Sequence, residues 1–285
     1  MMKFVFIGNR KFVLEEMLRS GLNVNVFVIK NTHLQRDALL NDIQHSIIDS
    51  KAQLLSKLDA TDFDVLISNG CHYILPLSKM KKGTYVNIHP SYLPDLRGVD
   101  PVLGAILFKR DAGATCHIMS DEIDTGDIIS RVKIPYSDDL DVSLLYQLSF
   151  IAEKKVFLDG LEKKFIPSCK QEDRGNLIYY SRRPEDKIIT FNESNDQLIA
   201  KIKAFNNKSQ GCSFMYRGFE FKVYDIDILY NDFLKEHSIA YEDLKIIFSY
   251  EDCIIIKKDG ELIKLGKVIG PLEKLRVNSY INEDM

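Results

Sequence analysis

The chain of 285 residues contains no tryptophan and carries no large charge excess, with 38 Lys plus Arg against 41 Asp plus Glu. A net charge of −3 speaks against a polyanion such as RNA as the main partner, because such binding rests on neutralising phosphates with Lys and Arg. No apolar run approaches the roughly 20 residues that cross a bilayer, so no membrane span is expected. The start, MMKFVFIGNRKF, lacks the long apolar core and cleavage site of a signal peptide and reads as a first strand of a cytoplasmic protein. Five cysteines, Cys71, Cys116, Cys169, Cys212 and Cys253, are scattered, and no pair has CxxC spacing, so neither a zinc site nor a redox motif is suggested and no metal is expected. Gly8-Asn9-Arg10-Lys11 does not match GxGxxG, which counts against a dinucleotide-binding dehydrogenase. There is no internal repeat and no low-complexity stretch.

What is present alternates strand-like and helix-like segments. Lys3 to Ile7, Asn23 to Ile29, His45 to Ile48, Asp64 to Ser68 and Tyr85 to Ile88 are short apolar runs suited to strands buried on both faces. Phe12 to Leu18 and Lys51 to Leu58 between them have helical spacing. This pattern predicts an α/β fold, a Rossmann-like, mostly parallel sheet with helices on both faces. Pro101 to Phe108 reads as a helix, Ala114 to Met119 and Ile128 to Ile134 as further strands, and Asp141 to Leu161 as a long helix capped by Asp141 or Ser143. Beyond about residue 165 the character changes. A helix over Asp196 to Phe205 is followed by two strands within Gly211 to Leu229 and more near Lys245, Cys253 and Leu262, which suggest a small C-terminal β-rich, OB-like barrel. The expected organisation is a catalytic domain over residues 1–175, a linker with a helix over 176–205 and the β-rich domain over 206–285.

Two segments carry groups suited to chemistry. Val86 to Pro94 reads VNIHPSYLP. Asn87 and His89 lie two apart, so on a strand both point to one face, at the carboxyl end where ligands of open α/β sheets collect. Ser120 to Ile128 reads SDEIDTGDI and crowds four carboxylates onto a loop between two predicted strands. Alone, Asn-x-His is usually a polar strand end, and DxxDTG can be a solvated turn whose side chains cap the backbone. Their order and combination are more specific.

Asn87-Ile-His89-Pro90-Ser91-Tyr-Leu93-Pro94, then Arg97-Gly98, His117 and Asp121-Glu-Ile-Asp124-Thr-Gly126, together resemble the signature of the 10-formyltetrahydrofolate-dependent formyltransferases. That family includes glycinamide ribonucleotide transformylase, methionyl-tRNA formyltransferase and the bacterial sugar N-formyltransferases. The resemblance implies that Asn87 donates to the formyl oxygen as it becomes an oxyanion, that His89 is the general acid/base and that Asp124 orients it. It implies that the segment with His72, Tyr73, Ile74 and Leu75 holds the pterin ring, with Asp121 and Ile123 on the loop that closes over it. The chemistry is consistent: donors at a developing oxyanion contribute roughly 10²–10³ each in rate, and an imidazole moves protons at neutral pH.

The acceptor is read from the rest of the chain. Residues 206–285 hold eleven Lys plus Arg against fourteen Asp plus Glu, a poor surface for tRNA, and no long basic insertion follows the second strand. The linker phrase Tyr179-Tyr180-Ser181-Arg182-Arg183-Pro184 resembles that of the sugar enzymes. The expected partner is therefore a small-molecule sugar nucleotide, a dTDP-linked amino-dideoxyhexose for surface polysaccharide (O-antigen) synthesis, and not a nucleic acid. The alternatives are methionyl-tRNA formyltransferase and a non-catalytic member that binds folate or a sugar nucleotide. Asn9, Arg10, Lys11, Arg97, Arg182 and Arg183 are the candidate ligands of the pyrophosphate, each against the reading of a surface charge or structural ion pair. Without Trp, the candidates for stacking on the base are Tyr179, Tyr180 and Phe214. A homodimer is the expected assembly.

Overall fold

Every side chain of Phe4-Val5-Phe6-Ile7 is at most 1% exposed in the computed structural model, which describes residues 2–81, 83–172 and 175–283. A strand apolar on both faces has to lie inside a sheet with layers above and below it. This strand, Lys3–Gly8 (β1), does so. It pairs in parallel with Asn23–Ile29 (β2) and Val65–Asn69 (β4). His45–Ile48 (β3) extends the sheet in parallel beyond β2, and Thr84–His89 (β5) beyond β4. Ala112–Ile118 (β6) and Ile128–Ile134 (β7) complete it as antiparallel neighbours. The order is β3-β2-β1-β4-β5-β6-β7, so the sheet is mostly parallel, as the alternation predicts.

The helices cover both faces. Lys11–Arg19 (α1) and the long helix Val142–Glu162 (α4) bury Val13, Leu14, Met17, Ala152, Val156 and Phe157 against Phe4, Phe6, Ile67 and Ile88. Lys51–Ala60 (α2) buries Leu54 and Leu58 with Val5, Ile7, Leu66 and Tyr85 on the opposite face. Burial of each such aliphatic side chain is worth roughly 1.5–3 kcal/mol. Ser50 caps α2 by accepting from the Gln53 amide at 3.2 Å. Asp141 accepts from the Leu144 amide at 2.8 Å and opens α4, which is the role its position predicts. Pro101 begins the short helix Pro101–Leu107 (α3).

The chain divides into two compact units. The first comprises Met1–Val102, Asp111–Pro135 and Tyr146–Ser181; the second comprises Leu103–Arg110, Tyr136–Leu145 and Arg182–Met285. In the second unit, Asn195–Ala204 (α5) starts at a reciprocal cap between Ser194 and Gln197. The remaining strands there are antiparallel. Cys212–Tyr216 (β8) and Phe219–Val223 (β9) form a hairpin, with Arg217 and Gly218 at its turn, both at positive φ. Asp225–Leu229 (β10), Ile246–Tyr250 (β11), Cys253–Lys258 (β12) and Glu261–Gly266 (β13) form a sheet in the order β10-β13-β12-β11. A bridge from Lys222 to Ile269 joins the hairpin to the segment after β13. Three strands, not two, occupy Gly211 to Leu229. The alternation of Phe219, Phe221 and Val223 resumes out of phase at Ile226 and Ile228, and only Tyr224, with no Gly or Pro beside it, separates β9 from β10. No helix among the described residues is long and apolar enough to cross a membrane.

Candidate active site

β5 places Asn87 and His89 by register. Val86 and Ile88 point into the core under α1 and α4, so Asn87 and His89 emerge on the other face. Asn87 lies opposite His117 of β6, and His89 opposite Thr115. Beyond His89 the chain is held in place: the Thr115 hydroxyl donates to the Ser91 carbonyl at 2.7 Å and accepts from the Leu93 amide at 3.1 Å. Arg131 donates to the Leu93 carbonyl at 2.7 Å and lies over the Tyr92 ring. That loop brings the Leu96 carbonyl to 3.0 Å from His89 Nε2.

Asp124 completes the group. It sits on the loop between β6 and β7 with φ +55°, uncommon for a non-glycine residue. One carboxylate oxygen accepts from Asn87 Nδ2 at 3.3 Å and lies 3.7 Å from His117 Nε2. The other accepts from the Gly98 amide at 3.1 Å and lies 3.5 Å from His89 Nδ1. Gly98 reaches this position at φ +103°, where a Cβ would stand 2.8 Å from the Tyr180 carbonyl, so only glycine fits without displacement.

The protonation pattern follows from the partners. A carbonyl can only accept, so His89 carries its proton on Nε2 toward Leu96, and Nδ1 presents a lone pair to Asp124. His117 donates from Nδ1 to the Ile118 carbonyl at 2.8 Å, and its Nε2 lies 3.3 Å from Asn87 Nδ2. Burial opposes ionisation of Asp124, but His89, His117 and the Gly98 amide together outweigh it and hold the carboxyl at about 2. Burial pushes His89 below its ordinary value, with Asp124 pulling the other way. The resting pair is thus a carboxylate facing a neutral imidazole nitrogen at a distance too long for a hydrogen bond. A proton arriving at Nδ1 would meet the carboxylate directly.

A pocket in front of this group is lined by Asn87, His117 and Asp124, by the segment Cys71–Leu75 and by Met119–Ile123. It therefore brings His72, Tyr73, Ile74, Leu75, Asp121 and Ile123 together with two of the three candidate catalytic residues. His89 stands behind them, 5% exposed. Ile74 and Ile123 remain 60% and 42% exposed at the rim, apolar surface that a flat ring could cover.

Comparison with known proteins decides the family. A family model described as formyl transferase matches residues 14–161. The chain belongs to the formyltransferase family. The methionyl-tRNA formyltransferase of Orientia tsutsugamushi (strain Boryong) is 30% identical over 254 residues, 81% of each chain. Methionyl-tRNA formyltransferase of Streptococcus pneumoniae (strain Hungary19A-6) is 31% identical over 144 residues, 49% of this chain and 46% of its own. Among solved structures, the N-formyltransferase of Helicobacter canadensis, in complex with folinic acid and dTDP-3-aminofucose, superposes with a TM-score of 0.71 at 20% identity. That match covers 93% of this chain and 99% of the other. The likeness shows a shared fold.

In this formyltransferase the candidate phosphate-binding cations have partners of their own. Arg10 is paired with Glu153 of α4, and Lys11 with Asp37 at 3.0 Å. Arg97 donates to Gln171 at 2.9 Å. Asn9 packs its side chain over Gly70. Arg182 and Arg183 are exposed and open the last segment of the second unit. Of the three aromatic candidates, Tyr179 is 57% exposed, whereas Tyr180 is 8% and Phe214 1% exposed. Phe214 is packed between Phe191 and Phe221, so it belongs to the core and cannot stack on a base.

Four residues near the site have side-chain roles that the sequence does not assign, although Asn69 begins the stretch to Pro76 that resembles the pterin-holding segment. His117 lies within the motif, but its contact with Asn87 depends on the β5–β6 register. Gln171 has no local signal. Asn69 and Glu153 form a buried polar pair beneath β5: Asn69 Nδ2 donates to the Ile88 carbonyl at 3.2 Å and to Glu153 at 3.3 Å. Glu153 did have a signal, as a charged residue on the apolar stripe of α4. Burial raises its pKa, against the pull of Arg10 and Asn69. Glu153→Leu leaves Arg10 facing the interior without its partner and is expected to lower unfolding free energy by roughly 3–5 kcal/mol. A urea midpoint unchanged from wild type would refute this.

Proposed function

We propose that this formyltransferase transfers a formyl group from 10-formyltetrahydrofolate to the amine of a nucleotide-linked amino sugar. The observation that carries the reading is the convergence of Asn87, His89 and Asp124 behind one pocket walled by Cys71–Leu75 and Met119–Ile123. The pocket suits a pterin. Ile74, Leu75, Met119 and Ile123 supply apolar contact, and two stretches of main chain supply donors and acceptors. The bound folate supplies the activated formyl group, and the protein residues do the rest. Asn87 Nδ2 leaves one of its two resting partners and donates to the formyl oxygen as negative charge develops there. His89 Nδ1 takes the proton that the attacking amine releases as its bond to the formyl carbon forms. The same nitrogen delivers that proton to the folate nitrogen as the old bond breaks, so the proton count closes. Asp124 steadies the transient imidazolium.

An amino sugar is preferred as acceptor because residues 206–285 carry more acidic than basic side chains, a net charge that disfavours the phosphates of tRNA. The fold shared with a protein whose complex contains dTDP-3-aminofucose supports the same choice. The reading extends to a dTDP-linked amino-dideoxyhexose, to surface polysaccharide synthesis and to a cytoplasmic homodimer. Lys11 is its pyrophosphate contact in the first unit, with Asp37 released on binding. One observation favours a second reading, methionyl-tRNA formyltransferase: the identity of 30% across 81% of the chain. Incubation with 10-formyltetrahydrofolate and a panel of acceptors separates the two. Formylated product is expected with dTDP-amino sugars. Product only with charged initiator tRNA would replace this reading by the second, and folate binding without any product would make the protein a non-catalytic member.

A further inference from the structure

The catalytic carboxylate stands on a loop whose backbone is not held by regular structure. At φ +55° Asp124 occupies the left-handed region, which Asp tolerates better than most side chains but in which local contacts fix the exact position. One side chain from outside the loop bonds its main chain on both sides of Thr125. Gln171 Nε2 donates one hydrogen to the Asp124 carbonyl and the other to the Gly126 carbonyl, both at 2.8 Å. Its Oε1 accepts from the Arg97 guanidinium at 2.9 Å. All three polar ends of the amide are therefore committed.

The chain is laid out to deliver Gln171 to this place. The segment just before it adds to the sheet edge: the Ile128 amide donates to the Cys169 carbonyl at 2.8 Å, and the Ser168 amide to the Ile128 carbonyl at 2.7 Å. Two consecutive residues then grip both parts of Asp124. The Gly98 amide holds the carboxylate at 3.1 Å. Arg97 holds the main chain through Gln171. We propose that Gln171 is a positioning residue for formyl transfer, fixing the main chain of Asp124 so that its carboxylate stays between Asn87, His89 and His117. The inference rests on the formyl-transfer reading for its catalytic consequence, and on hydrogen bonding alone for the hold itself.

The chemistry of the amide makes this testable. Glu at position 171 has the same length and still accepts from Arg97, but it turns an acceptor oxygen toward two carbonyl oxygens. Leu has a similar shape and no polar atom. Both Gln171→Glu and Gln171→Leu are expected to lower kcat by about 10–10²-fold, the scale of an ångström-level misplacement, with KM for the acceptor changed by less than about threefold. Circular dichroism and thermal melting establish that the variants are folded. In an Asp124→Ala background, adding Gln171→Leu is expected to change kcat by less than about twofold, because the residue it positions is gone. Hydrogen exchange read by mass spectrometry supplies a measure that needs no turnover: amides over residues 118–128 should exchange faster in both single variants.

Wild-type kcat in Gln171→Glu would overturn the inference, since the paired donors would then be dispensable. So would an equal loss from Gln171→Leu with and without Asp124, or unchanged exchange over residues 118–128. Wild-type protein that formylates no acceptor sinks the formyl-transfer reading, while the exchange measurement still decides whether Gln171 holds the loop.

Discussion

His89→Ala is expected to lower kcat by about 10²–10⁴-fold and to leave the fold intact. The His89 imidazole has its proton anchored on Nε2 against Leu96, which leaves Nδ1 facing the carboxylate at 3.5 Å. Alanine removes the proton carrier, while Asn87 and Asp124 remain to bind and polarise. The residual rate therefore reflects positioning and oxyanion stabilisation alone. The wild-type pH profile carries the same information. His89 must be neutral to accept a proton, and burial holds its pKa below the ordinary 6.5. Activity should thus rise with pH along an acid limb whose midpoint in kcat/KM lies below 6.5, and that limb should be absent in His89→Ala. A variant with kcat within tenfold of wild type, or an unchanged limb, would mean that another base does this work.

Asp124→Asn is expected to cost about 10²-fold in kcat for a different reason. The shape and the contact with the Gly98 amide survive, but the charge does not. Loss of the carboxylate removes the interaction that opposes burial, so the pKa of His89 falls further and the acid limb moves to lower pH. Stability responds with a definite sign as well. The folded carboxyl at about 2 lies below its ordinary 3.8. Its contribution is complete above the ordinary value and is lost as the pH falls through the folded one. Acid unfolding of Asp124→Asn should consequently show less pH dependence between those two values. An acid limb that stays in place or moves upward would exclude the assigned role for the charge.

Much of the fold is legible because its strands are short, continuous and apolar. Asn23–Ile29, His45–Ile48 and Ile128–Ile134 start and end where the pattern places them. The helix Asp232–His237 (α6) is not legible. It is six residues long, Leu234 alone packs partly buried against the neighbouring sheet and Phe233 is 81% exposed, so there is no buried stripe to detect. The grouping of β10 with β13, a strand far along the chain, also has no local sign. At the site, Asn87 and His89 are legible from their spacing on a strand end. His72 to Leu75 meet Asp121 and Ile123 around one pocket, a grouping that no local spacing in the chain displays. The cations are less legible: a guanidinium near a strand end looks the same whether a phosphate or Glu153 is to be its partner.

The sequence alone therefore determined which groups are present and which reaction class they suit, since an amide, an imidazole and a carboxylate keep their chemistry wherever the chain carries them. Tertiary structure decided their states. Whether Asp124 is ionised and which nitrogen of His89 is free depend on burial and on charges and carbonyls brought in by other elements. The same holds for Arg10, committed to Glu153 from α4, and for the main chain under Asp124, held by Gln171. These are sums over neighbours in space, and neighbours in space are fixed only when the sheet register and the loops are in place.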